Sequence, residues 1–292
     1  MVNLKLLKVI RPHIVAGGFL GYLVGALYGL SLGGGLSWSE FLLGYLIVLF
    51  MDLSTHYNND YYDVEVDRSA PFKPFGSVNL LIDDNEMRNS ALRVAVGCSV
   101  ISILMASVSV FIGSTWHLVG VVVLFNALGW LYSAPPVRLH SRRLGEITIA
   151  VGTGFCVSAV GYILTRNGID GFFTLFSVPL ILYGFILSLC LQVPDYEVDR
   201  MMDKKTIVGL IGRRRTYLVV LLCAVAASAT YFHLLPPLNS MMVPWVSLVP
   251  AASSLFSVLL LSDSLEHAQQ YTKLNISALF LFLACLDLLL LL

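Results

Sequence analysis

Two short acidic segments carry most of the chemistry that this sequence can do. The first reads Asn59-Asp60-Tyr61-Tyr62-Asp63-Val64-Glu65-Val66-Asp67-Arg68. The second reads Asp195-Tyr196-Glu197-Val198-Asp199-Arg200 and continues as Met201-Met202-Asp203-Lys204-Lys205. Asp63 to Arg68 recurs as Asp195 to Arg200 with a single change, Val64 for Tyr196. In a helix, Asn59, Asp63 and Asp67 fall at i, i+4 and i+8 and share one face, with Asp60 beside them; Asp195, Asp199 and Asp203 repeat the spacing. Like charges four residues apart oppose a helix, so the pattern serves no structural end, and a cation relieves the repulsion. Oxygen donors without His or Cys favour Mg²⁺ over zinc or copper. Mg²⁺ is commonly held by one or two carboxylates together with substrate phosphates. Two such segments facing each other would hold two ions that bridge a diphosphate.

The elements that must position these carboxylates are apolar. Hydrophobic residues make up 57% of the chain and charged residues 12%, against roughly 25% charged in a soluble domain; the mean hydropathy is +0.82. Runs of about 20 apolar residues, enough to cross a bilayer, recur along the chain. Nine spans are predicted, at roughly 14–36, 41–58, 91–112, 117–134, 147–165, 172–193, 216–235, 243–262 and 275–292. They predict an all-α polytopic membrane protein: one bundle over 1–292, with pseudo-repeat halves at about 1–140 and 141–292. The first span is long, Gly-rich and leads straight into a second, unlike a cleaved signal peptide. With nine spans, every one of the 18 Lys and Arg residues except Arg166 falls on the side of the N-terminus. The positive-inside rule puts that side in the cytoplasm and the C-terminus outside. Most acids share that side, and a face that concentrates both signs does more than set topology. The five cysteines are scattered singly through the spans and read as packing residues. The expected partners are the bilayer and a diphosphate; no nucleic acid is expected.

The order Asn59-Asp60-x-x-Asp63-x-x-x-Asp67, then Asp195-x-x-x-Asp199-x-x-x-Asp203, resembles the two signature motifs of the UbiA superfamily of intramembrane prenyltransferases. Arg11-Pro12-His13 is similar to that family's entry motif, and Lys73-Pro74-Phe75-Gly76-Ser77 to its basic-Pro-x-x-Gly segment. Leu131-Tyr132-Ser133-Ala134-Pro135-Pro136-Val137-Arg138, with Leu144-Gly145-Glu146, resembles the connection after its fourth helix. Two positions depart from the pattern: His140 stands where Lys is usual and Lys73 where Arg is common. The wording of both acidic segments is most similar to the dihydroxynaphthoate prenyltransferases of menaquinone synthesis, though archaeal lipid branches share most features. The resemblance implies Mg²⁺-dependent transfer of an isoprenyl group from an allylic prenyl diphosphate, geranyl or longer, to an aromatic or lipid acceptor.

In that chemistry Asn59, Asp63, Asp67, Asp195, Asp199 and Asp203 are the expected metal ligands, with Asp60 beside them as a catalytic carboxylate. Cationic side chains stabilise the charge that develops on the leaving diphosphate; Arg11, Arg68, Lys73, Arg138 and Lys204 are the candidates. The triplet Arg213-Arg214-Arg215 reads as an ordinary positive-inside anchor. Tyr132 or Tyr62 offers a ring face to an allylic carbocation, which a dry cavity protects from water. Asp52 and His56 lie on the Asn59 face of the helix, seven and three residues earlier, and can position or deprotonate the acceptor; Gln192 holds the matching place before the second segment. The competing class is a transporter, since carriers also hold intramembrane acids. Carriers hold them at mid-depth on broken helices, whereas these acids sit at span ends on one side. A glycerol-phosphate acceptor is the alternative within the enzyme reading.

Overall fold

The computed structural model describes residue 6 and residues 10–64, 68, 81–82, 84–202, 204–233, 241–260 and 262–292. Asp67, Lys73 and Asp203 therefore lie outside the described residues. The long helices are α1 (Pro12–Ser31), α2 (Trp38–Tyr62), α3 (Asn85–Phe111), α4 (Trp116–Ser133), α5 (Gly145–Arg166) and α6 (Gly171–Gln192). The short helices α7 (Tyr196–Met201) and α8 (Ile207–Ile211) follow. Then come α9 (Arg213–His233), the short α10 (Val243–Val246) and α11 (Leu248–Leu259), and finally α12 (Leu265–Leu291). Among the described residues there is no strand; one isolated backbone bridge joins Arg142 to Lys205.

Eight of these helices are long and apolar enough to cross a bilayer. The predicted span at 243–262 is instead the shorter apolar segment Val243–Leu259, broken at Ser247. Pro250 has no N–H to offer a carbonyl one turn back, and the break is bonded from outside. The Ser247 carbonyl accepts the Ser228 hydroxyl at 2.6 Å and the Tyr183 hydroxyl at 3.3 Å. The segment still returns the chain to its starting end, because Arg213 at the head of α9 donates to the Asp263 carbonyl just before α12.

Helix starts follow capping chemistry. Ser37 and Glu40 form a reciprocal capping box on α2, and Asp84, Thr115, Asp170 and Ser264 cap α3, α4, α6 and α12. Lateral packing rests on small residues and interhelical hydrogen bonds, since lipid gives apolar faces little reason to associate. Helix α5 is the most enclosed span; α1 packs along its length, and a Cβ at Gly25 would collide with the Ser158 carbonyl. Helix α2 is tied to its neighbours by polar pairs: Ser54 to Ser99 of α3 at 2.5 Å, and the Asn58 amide to the Gly129 carbonyl of α4 at 3.1 Å.

The α1–α5 contact gives a direct test. Gly25→Leu forces the two helices apart and is expected to destabilise the detergent-solubilised protein by about 1–3 kcal/mol, read as a lower thermal unfolding midpoint. An unchanged midpoint would show that the helices do not approach this closely.

Candidate active site

One end of the bundle gathers the start of α1 and the ends of α2, α4 and α6. The starts of α5, α9 and α12 lie there as well. Contacts across this end fix the arrangement: Arg11 with Asp60, Ser133 with Asn59, the backbone of Arg143 with Lys205, and Glu146 with Ile207. At the other end Arg166 donates to the Leu32 carbonyl. Arg11, Arg143 and Lys205 thus lie at one end of the bundle and Arg166 at the other.

The first acidic segment sits where α2 stops. Asn59 and Asp60 belong to the last helical turn, and Asp63 caps it, its N–H bonded to the Asn59 carbonyl at 2.9 Å. The Asn59 side-chain oxygen accepts from Ser133 at 2.6 Å, which leaves one lone pair for a cation. Asp60, 1% exposed, turns to the start of α1 and meets Arg11 at 2.5 Å. Asp63 is buried and lies 3.8 Å from the His140 ring nitrogen.

The second segment follows a break. Helix α6 ends at Gln192, and the chain turns through Val193 and Pro194 so that Asp195 precedes the short α7. The Asp199 N–H bonds the Asp195 carbonyl at 2.8 Å, so the four-residue register of these two acids survives the turn. Asp199 is 2% exposed, and the Lys204 ammonium lies 3.5 Å from its carboxylate.

Lys204 joins the two halves. Its charge interacts with Asp199 and Asp195 of the second segment, with Asp63 of the first, and with Tyr132 at the end of α4. Tyr132 in turn lies within electrostatic reach of Asp63, Asp199 and Glu146, and its ring packs on His140 at 5.4 Å between centroids. Burial alone pulls the Lys204 ammonium down, but the carboxylates of Asp199, Asp63 and Asp195, with Tyr132, outweigh it and hold the group above the ordinary lysine value.

The remaining predicted residues divide by depth. Asp52 and His56 are buried inside the bundle on the face of α2 that meets α1; a Cβ at Gly18 would collide with the Asp52 carboxylate. His56 Nδ1 is buried without a hydrogen-bond partner among the described residues, and the ring senses the charges of Arg11 and His13. Spaced at i, i+4 and i+8, Asp52, His56 and Asp60 form a polar stripe on α2 that adjoins Asn59 and Asp63. Gln192 is buried at the end of α6, near Glu146. Arg68 is exposed and donates to the Ile82 carbonyl at 3.2 Å. Arg138 is exposed, with a left-handed backbone (φ 46°).

Three residues not singled out for a role belong to the site. Glu146 is fully buried at the head of α5, where it accepts the Ile207 N–H at 2.6 Å. Ser133 orients Asn59, and His140 faces Asp63. Their signal in the sequence is only their place in the segment running from Leu131 to Glu146.

Among the described residues, no three His, Cys, Asp or Glu side chains come close enough to make a ready metal cage. The donor set nevertheless fits a hard cation. Asn59 and Asp63 on one side, with Asp195 and Asp199 on the other, present oxygens only, and Mg²⁺ completes its shell with water and phosphate.

Sequence and fold both match known proteins. Residues 19–286 match the model of the UbiA prenyltransferase family, and the chain belongs to that family. It is 22% identical over 246 residues to the 1,4-dihydroxy-2-naphthoate octaprenyltransferase of Bacillus subtilis, covering 83% of this chain and 76% of that protein. It is 24% identical over 216 residues to the digeranylgeranylglyceryl phosphate synthase of Saccharolobus solfataricus, covering 72% and 70%. Its fold is similar to that of a UbiA homolog from Archaeoglobus fulgidus bound to DMAPP and Mg²⁺, with a TM-score of 0.67 and 17% identity over 95% of this chain and 98% of that one. A UbiA homolog from Aeropyrum pernix K1 superposes with a TM-score of 0.72 at 16% identity, over 94% and 97%. The chain is thus a multi-pass integral membrane protein with the fold of the intramembrane prenyltransferases.

Lys204 gives this site a pH signature. Its folded value lies above the unfolded lysine value of about 10.4. The charge therefore contributes fully below that value and is lost only as pH rises through the folded one. Turnover is expected to show no Lys204-dependent limb between about pH 6 and 9, and Lys204→Met should lower it by about 10²-fold across that whole range. A pH–rate profile in which variant and wild type converge toward pH 9 would contradict this placement.

Proposed function

We propose that the protein transfers an isoprenyl group from an allylic prenyl diphosphate to an acceptor dissolved in the bilayer, with Mg²⁺ held between the two acidic segments. The observation that carries the reading is the position of Lys204, 3.5 Å from the Asp199 carboxylate of the second segment and within electrostatic reach of Asp63 of the first and of Tyr132. Asn59, Asp63 and Asp67 would hold one ion, and Asp195, Asp199 and Asp203 a second. When bound, Mg²⁺ neutralises charge on the leaving diphosphate.

The chain's own residues supply the rest. Lys204 would bind the oxygens that gain charge as the C–O bond breaks, and Arg138, Arg68 and Lys73 are the further cations proposed to receive the diphosphate. Asp60 fixes the Arg11 guanidinium at the mouth, so the pair acts as one unit. The allylic cation left behind faces the Tyr132 ring. The acceptor enters on the α1 side, where Asp52 and His56 orient its nucleophilic group and the unpartnered His56 nitrogen takes its proton; Gln192 hydrogen-bonds from the far side. The distribution of basic residues orients the mouth and N-terminus to the cytoplasm and the C-terminus outward.

The acceptor proposed is an aromatic quinone precursor, supported by the match to the dihydroxynaphthoate enzyme and by the wording of the acidic segments. A glycerol-phosphate acceptor is the second reading, supported by the two matches to digeranylgeranylglyceryl phosphate synthases.

Purified protein given labelled geranylgeranyl diphosphate, Mg²⁺ and both acceptor classes should release diphosphate and prenylate one class. Asp63→Ala and Asp199→Ala should each lower turnover by about 10²-fold or more while the protein stays folded. No prenylated product with any acceptor would remove the enzyme reading. Full activity in both variants would remove the metal assignment alone.

A further inference from the structure

Arg213 does not behave as a topological anchor. Arg214 and Arg215 beside it are exposed, as the positive-inside reading requires, but Arg213 is 5% exposed and its guanidinium is engaged on every side. Nε donates to the Val193 carbonyl at 3.0 Å, and one terminal nitrogen reaches the Pro194 carbonyl at 3.4 Å. The other donates to Glu197 at 2.6 Å and to the Asp263 carbonyl at 2.8 Å; the Glu197 carboxylate is gripped at both oxygens. The guanidinium also stands over the Tyr196 ring, 5.4 Å from its centroid, and Arg200 approaches the same ring at 5.5 Å.

These partners belong to one stretch of chain. Val193, Pro194, Tyr196 and Glu197 surround Asp195 and lead into Asp199. Where α6 ends, its last carbonyls have no helical partner, and Pro194 prevents the helix from continuing to supply one. Arg213 bonds the carbonyls of that turn. We infer that Arg213 is a positioning residue: it fixes the turn that carries Asp195 and Asp199 and so sets how the second acidic segment faces the first.

The sequence delivers the guanidinium there by a one-residue connection. Gly212 separates α8 from α9 and has φ 81° and ψ 161°, a conformation reserved for glycine. The turn starts α9 directly beneath the acidic segment, with Arg213 as its first residue. The same side chain reaches the loop before α12 through Asp263, where Arg214 adds an ion pair at 3.0 Å. The second acidic segment is thus locked to the heads of two spans. Lysine cannot substitute, because a single ammonium has neither the planar fork nor enough donors for four separate acceptors.

The inference rests on the proposed metal role of Asp195 and Asp199, and two readouts keep the two ideas apart. The first is amide hydrogen exchange of the peptide covering residues 193–202 in metal-free protein, which reads the clamp whatever the segment binds. The second is the Mg²⁺ concentration for half-maximal turnover. In Arg213→Ala, exchange at 193–202 is expected to quicken by about tenfold or more, and the Mg²⁺ requirement to rise by about tenfold. Arg215→Ala, which alters an exposed neighbour, should leave both unchanged. Should Arg213→Ala fail to fold, Arg213→Lys decides in its place, with a several-fold change expected in both readouts. Unchanged exchange in a folded Arg213 variant overturns the clamp. Faster exchange with an unchanged Mg²⁺ requirement overturns its role in positioning. An Asp199→Ala variant whose Mg²⁺ requirement is also unchanged locates the failure in the metal assignment.

Discussion

Carboxylates cannot be crowded at the edge of an apolar bundle without cations to meet them, and the geometry of this mouth follows from that constraint. A buried charge without a partner costs several kcal/mol or shifts its protonation. Four acids at this mouth accordingly face a positive or protonatable group from a different element. Arg11 of the α1 entry meets Asp60, and His140 of the α4–α5 connection faces Asp63. Lys204 beyond α7 meets Asp199, and Arg213 of α9 grips Glu197. Because the partners come from separate parts of the chain, neutralising the acids also assembles the site.

Helix α2 shows how one element serves several neighbours at once. Its last turns are polar on every side, which would be intolerable against lipid. One side bonds α3 and α4 through Ser54 and Asn58, and another carries Asp52, His56 and Asp60 beside Asn59 and Asp63, with Asp60 held by Arg11 and Asn59 by Ser133. Among the described residues, His56 Nδ1 keeps an unused hydrogen-bonding position inside the bundle.

Much of this was legible in the sequence because its physics is local. Apolar length gave eight of the nine spans, and four-residue spacing gave the registers of Asn59/Asp63 and Asp195/Asp199. What stayed hidden depends on tertiary partners. The break at Ser247, which shortens the segment Val243–Leu259, is held open by Ser228 and Tyr183 from other helices. Arg213, Arg214 and Arg215 look alike in sequence, yet only Arg213 is buried against the 193–197 turn. Glu146 gave no periodic signal, since its role comes from the Ile207 backbone 61 residues away. The Arg11–Asp60 pair joins two residues that had been assigned separately to substrate and to catalysis.

The central claim is that the two acidic segments are halves of one site. It is tested most directly by anomalous diffraction from crystals grown with Mn²⁺ in place of Mg²⁺ and an unreactive prenyl thiodiphosphate. The account predicts manganese peaks lying between Asn59/Asp63 and Asp195/Asp199, with the diphosphate spanning both segments beside Lys204. Manganese bound at one segment only, or away from both, would contradict it.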